Sequence, residues 1–283
     1  VSEFQISASL KADGAASQEK QQQPRAEIHI RKCRYGLMAF FPHDFYLGGA
    51  LERYGEYAED ESRVLQGYVK PGDIVVEVGA NIGCHTLALA QCVTNAGRVF
   101  AFEPQRIIHQ MLCGNLAING IWNVIAERMA LGAEAGIAYV PPIDYAAPGN
   151  FGAVSLAKDV GEPVQVQTLD GCNFVRCDLI KIDVEGMEGD VLKGAAQTIK
   201  RLRPVLYVEN DREEKKAALI AQLRLMGYAI YWHLPALFNP QNFNKNEIND
   251  YGSTVSINML CLPEEKKMPC DLPRVELLSE TLH

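Results

Sequence analysis

The chain has 283 residues, with 27 Lys and Arg against 35 Asp and Glu, a net charge of −8, and 48% hydrophobic residues. That is the balance of a soluble globular protein with ample length for a buried core, and it disfavours a phosphate-backbone binder, whose grip needs clustered Lys and Arg. No apolar run reaches the roughly 18 residues of a membrane span, and eight scattered cysteines without a C-x-x-C pair read as reduced thiols of a cytoplasmic protein.

Residues 1–24 are polar and end in a Gln-rich run, so they read as a disordered tail. Residues 25–70 read as an N-terminal cap: two short strands turning near Gly36, then one helix over 50–69. Pro71-Gly72-Asp73 stops the chain and opens the main domain, 71–263. There, strands over 74–78, 98–103 and 123–128 alternate with helices over 82–93 and 107–119. A second run follows: strand 178–183, helix 187–202, strand 205–209, helix 211–226, and strands 228–232 and 255–262. Alternation with short turns predicts a mostly parallel seven-stranded α/β sheet with helices on both faces and an antiparallel last strand. Two segments interrupt it. A turn-rich insertion over 133–170 predicts a β-hairpin or loop, and an Asn-rich loop over 234–252 is long enough to suggest function. Residues 264–283 form a C-terminal extension.

The strongest motif is Glu77-Val-Gly-Ala-Asn-Ile-Gly83, between the first strand of the alternation and its helix. Cofactors bind at that carboxyl edge of open α/β sheets. A dinucleotide fingerprint would need Gly at 79, 81 and 84, and only Gly79 complies, so NAD and FAD are disfavoured. Glu103, in Phe102-Glu-Pro104, ends the second strand, where a carboxylate can accept both hydroxyl hydrogens of a ribose diol. Ile180-Lys-Ile-Asp-Val-Glu-Gly-Met-Glu188 ends a later strand with carboxylates suited to accept protons or bind cations. Asp183 is the leading acid there; Glu185 is read equally as a helix cap. In Val208-Glu-Asn-Asp-Arg212, Glu209 falls on the same edge as Asp183, and Asp211 is expected to cap the next helix. His233 and His85 also fall at pocket-edge positions, as base or hydrogen-bonding candidates.

Together with Tyr54-Gly-Glu-Tyr57, these motifs resemble those of the FkbM methyltransferases, a class I (Rossmann-like) family, over about residues 54–262. The resemblance implies S-adenosylmethionine as cofactor, held by Glu56, Glu77, Gly79, Asn81, Gly83, Glu103 and Asp183. Glu103 would take the ribose and Glu77 the amino group. Asp183, Glu209 and His233 become the catalytic candidates. The implied reaction is O-methylation of a sugar, glycan or glycosylated natural product, so the partner is a small-molecule or glycan acceptor. N- or carboxyl-methylation of a peptide, or a silent cofactor-binding module, are the alternatives. The ligand spacing of catechol-type enzymes is missing, so no metal is expected.

Overall fold

The computed structural model describes residues 26–276, and the tail expected over 1–24 lies outside them. The cap opens with a hairpin, β1 (His29–Cys33) against β2 (Gly36–Phe40), in antiparallel register. The single helix expected over 50–69 is two helices, α1 (Leu47–Tyr54) and α2 (Glu59–Gly67). Gly55 ends α1 at φ 66, its N–H bonded to the Leu51 carbonyl, and Ala58 enters α2 at φ 47. A left-handed Ala is disfavoured by its Cβ. The break is held by tertiary contacts at Glu56, which helical periodicity cannot register. Arg34 Nε donates to Glu56 at 2.7 Å, as do Asn239 Nδ2 and the Phe243 N–H, both at 2.7 Å.

The main domain follows the expected alternation: β3 (Ile74–Val78), α3 (Cys84–Val93), β4 (Arg98–Phe102), α4 (Arg106–Ile118) and β5 (Val124–Glu127). The insertion folds as a small sheet in which β8 (Glu162–Gln167) pairs antiparallel with β7 (Gly136–Val140) and parallel with β6 (Ala130–Leu131). Then come β9 (Leu179–Ile182), α5 (Glu188–Gly194), α6 (Ala196–Leu202), β10 (Val205–Glu209), α7 (Glu213–Leu225), β11 (Tyr228–His233) and β12 (Asn258–Pro263). The expected helix 187–202 is interrupted at Ala195, giving α5 and α6.

The central sheet has seven strands in the order β11-β12-β10-β9-β3-β4-β5. Only β12, the last in the chain, runs antiparallel to its neighbours, inserted between β10 and β11. This is the class I methyltransferase architecture the resemblance implied. Both faces are covered, as the near-continuous apolar strands require. Val76, Val78, Ile180 and Ile182 pack with Leu192, Ile199 and Leu223 on one face; Val75, Leu179 and Tyr207 pack with Leu65, Leu89 and Val93 on the other. The C-terminal extension returns to the sheet edge, where the Trp232 N–H donates to the Pro273 carbonyl and Val275 N–H to that of Ile230, both at 2.8 Å. It thereby covers backbone groups that an edge strand would leave open. All eight cysteines are free thiols, and no helix among the described residues is long and apolar enough to cross a membrane.

Candidate active site

Register places the functional side chains. Val78 is paired with Phe102 and with Ile182, and Ile182 with Val208. The next residue of each strand or its exit turn is Gly79, Glu103, Asp183 and Glu209, so these four form one row along the carboxyl edge. Because side chains alternate between faces, Glu77 and Lys181, paired across β3 and β9, lie on the same face two residues back. Gly79 leaves the centre of the row open. It sits at φ 83, and a Cβ there would come within 1.8 Å of the Asp183 carbonyl oxygen. Its glycine is thus required by the approach of two strand ends, rather than by ligand contact alone.

The row floors a cavity of about 420 Å³, walled by α1, the α1–α2 junction, the start of α3, the insertion and the segment before β12. That is within the size range of ligand sites. At one end, Glu103 is buried and its two oxygens accept the Asn81 N–H at 2.9 Å and the Gln105 N–H at 2.8 Å. These donors fix the carboxylate plane. Burial still pushes Glu103 up to about 7, with the backbone bonds opposing. A smaller recess, about 50 Å³, opens from the same carboxylate and is lined by Phe102, Met129, Leu131, Val154, Leu156 and Met187. Its apolar walls suit a flat heteroaromatic ring.

The middle of the cavity carries Glu77 and Lys181. Glu77 accepts the Thr86 hydroxyl at 2.6 Å, and burial raises it to about 7, opposed by Lys181. The Lys181 ammonium is 2% exposed and donates to Asp183 Oδ2 at 2.8 Å. Burial disfavours its charge, but Asp183, Glu77 and Glu61 together hold it protonated. Burial likewise opposes the charge of Asp183, yet Lys181 keeps that carboxyl below its ordinary range. Glu209 is driven the other way, upward, by burial and then by Asp183 and Glu185. Glu209 Oε2 is buried with no protein partner. The oxygens of Asp183, Glu185 and Glu209 lie within 4.8 Å of one another, close enough to share a divalent cation, although Lys181 already balances part of that charge.

Several sequence assignments move. Glu185 does not cap α5. It stands at φ 56, ion-pairs with Arg212, and is raised to about 7 by burial and by Asp183. The carboxylate that reaches back is Glu188, accepting the Gly186 N–H at 2.9 Å and the Val184 N–H at 3.2 Å. Asp211 makes no side-chain cap on α7 and faces the cavity beside Arg212. Gly83 lies under α3, where a Cβ would meet Leu112 Cδ1 at 2.7 Å, and it does not line the cavity. Glu56 is held in the contacts that break α1 from α2 and is likewise outside the lining. His233 is not in the cavity either. It is register-paired with Asn258, three strands over from the end of β9 that carries Asp183, with Nδ1 2.7 Å from the Tyr207 hydroxyl. His85 does face the cavity. Burial and then Lys181 depress it to about 3, so it is a neutral imidazole 2.9 Å from Ser62 Oγ.

Asn81, Glu77, Glu103, Asp183 and Glu209 are therefore brought together, and Lys181, Tyr57 and Asn150 join them unannounced. Lys181 had a signal: a lysine inside a short buried strand of apolar residues needs a partner. The Asn-rich loop has a different role from the expected one. Its asparagines bind Glu56 and neighbouring backbone, and among residues 234–252 Leu237 alone lines the cavity, followed by Thr254–Ile257. The insertion reaches the cavity through Asn150, Gly152 and Ala153.

The family model described as Methyltransferase FkbM domain matches residues 77–230, more than half the chain. The hexuronic acid methyltransferase AglP of Haloferax volcanii is 29% identical over 154 residues, 52% of this chain and 60% of that protein. The methyltransferase sdnD of Sordaria araneosa is 30% identical over 158 residues, 42% of this chain and 59% of that protein. The chain thus spans about three fifths of each curated relative. Among solved structures, an FkbM methyltransferase from Methylobacillus flagellatus superposes with a TM-score of 0.46 at 17% identity, covering 71% of this chain and 50% of that one.

Proposed function

The chain belongs to the FkbM methyltransferase family, and from that membership we propose that it catalyses O-methylation of a hydroxyl on a sugar, glycan or glycosylated metabolite. S-adenosylmethionine is the cofactor, and when bound it supplies an electrophilic sulfonium methyl group. The residues present fit it. Glu103, fixed by two backbone donors, would accept the ribose hydroxyls, the apolar recess beside it would take the adenine, and Glu77 and Asp183 would face the cationic methionine end.

The observation that carries the reading is the polar row itself: Asp183, paired to the Lys181 ammonium at 2.8 Å, beside Glu209, whose Oε2 is buried and unpartnered. An alcohol is a weak nucleophile until a base takes its proton during attack. Asp183 is suited to accept that proton, and Glu209, with one oxygen unpartnered, to orient the acceptor. The name of the Haloferax volcanii relative, a hexuronic acid methyltransferase, supports a sugar acceptor. A cytoplasmic setting belongs to this reading and is supported by the free thiols. The test is transfer of tritium from methyl-labelled S-adenosylmethionine to a panel of glycosides, followed by alkaline treatment. Alkali-stable label on the glycoside is expected. Label that appears only on added protein, or is lost to alkali as methanol, would mean a peptide or carboxyl acceptor instead.

A further inference from the structure

The acceptor end of the cavity has an unusual charge inventory. Asp183 and Glu185 follow β9, and Glu209 and Asp211 come from the end of β10 and its exit, so four carboxyl groups face the space beyond the methionine end. Two cations accompany them, and both are engaged. The Lys181 ammonium is on Asp183 at 2.8 Å, and the Arg212 guanidinium is on Glu185 with Nε 3.5 Å from Asp211. Among the described residues that line the cavity these are the only Lys and Arg, and each is paired to a carboxylate.

Resting on the methyltransferase reading, we infer that the acceptor is a donor-rich alcohol, a vicinal diol or amino alcohol, with no carboxylate, phosphate or sulfate near the methylated hydroxyl. An ionised carboxylate only accepts hydrogen bonds, so Asp183, held ionised by Lys181, selects ligand O–H and N–H groups. Glu209 Oε2, buried and unpartnered, is a further polar atom that the ligand must satisfy. An anionic group here would face Glu185 and Asp211 in a partly desolvated space, where like charges repel far more than in water. Asn150, Thr254 and Ser256, which also line the cavity, are neutral hydrogen-bonding groups. This chain therefore selects against acidic sugars, in contrast to the relative named for a hexuronic acid.

The experiment saturates the protein with S-adenosylhomocysteine in EDTA, so that no divalent ion masks the carboxylates. It then measures, by ligand-observed NMR, the affinities of the methyl glycosides of glucose, glucosamine and glucuronic acid. These share a ring and differ in one group. The glucoside and glucosaminide are expected to bind, and the glucuronide to bind about tenfold or more weakly. Glu185→Gln, which frees Arg212 to take an anion, should narrow that gap by tightening glucuronide binding. Glucuronide binding as tight as the glucoside in the unmodified protein would overturn the inference. So would a glucuronide affinity unmoved by Glu185→Gln, or binding of none of the three to the loaded protein. Failure to bind S-adenosylhomocysteine at all would instead remove the methyltransferase reading beneath it.

Discussion

Replacing Glu103 tests the cofactor assignment most directly. Its carboxylate accepts two backbone N–H groups, from Asn81 and Gln105, and in the proposed complex two ribose hydroxyls as well. A hydrogen bond to a charged group contributes about 1.5–3 kcal/mol. Because Glu103 is raised to about 7, part of the protein at neutral pH carries the weaker, protonated acceptor. Glu103→Ala should therefore weaken S-adenosylhomocysteine binding by about 2–4 kcal/mol, roughly 30- to 1000-fold. It also leaves two backbone donors unsatisfied, so its melting temperature should fall. Glu103→Gln separates the effects: one amide oxygen remains to accept a backbone N–H, while the charge is gone. About 5- to 30-fold weaker binding is expected, with a smaller loss of stability. Wild-type affinity should also rise between pH 6 and 8 as Glu103 ionises, more steeply than in Glu103→Gln. Calorimetric titration of both variants over that range is the assay. A Glu103→Gln affinity within about twofold of wild type, with the same pH slope, would refute the ribose role.

Asp183→Asn should reduce methyl transfer by about 100- to 10,000-fold, far more than it weakens S-adenosylhomocysteine binding, if Asp183 is the proton acceptor; single-turnover kinetics separate the two. His233→Asn should leave transfer within a fewfold of wild type but lower stability by about 1–3 kcal/mol in urea melts, since its buried bond to Tyr207 is structural. The pH dependence of the apo protein has a defined sign. Burial raises Glu61, Glu77 and Glu103 from 4.5 to about 7, so their stabilising contribution is full below pH 4.5 and is lost as pH rises through 7. His85, depressed from 6.5 to about 3, acts oppositely, losing its contribution as pH falls below 6.5. With three carboxyls against one imidazole, urea midpoints should fall from pH 5 to 7, and Glu77→Gln should flatten the slope. EDTA should leave turnover unchanged, because Lys181 and Arg212 already balance Asp183 and Glu185. Activity restored only by Mg²⁺ would assign a metal to the carboxylate trio.

Much of this site was legible before folding because it is local. A short apolar run followed by a glycine turn marks a strand end. In a parallel sheet every strand end falls on one edge, so Glu77, Glu103, Asp183 and Glu209 could be placed together from spacing. The surplus of acids in the composition is partly this row. Contacts between distant segments were not legible. The helix over 50–69 reads as continuous because its periodicity is; it breaks because Arg34, Asn239 and Phe243 reach Glu56 from outside. His233 was placed correctly at a strand end, but the insertion of β12 between β10 and β11 moves it a strand further from the cavity. The same sheet order pairs Lys181 with Glu77 on one side and Tyr207 on the other, directly beneath Asp183. The sequence by itself determined which residues end the strands and thus which acids share an edge, since that follows from local period and turn chemistry. Which acid is held ionised, which is pushed toward its protonated form and how each cation is paired follow instead from neighbours that strand order brings together across the sheet.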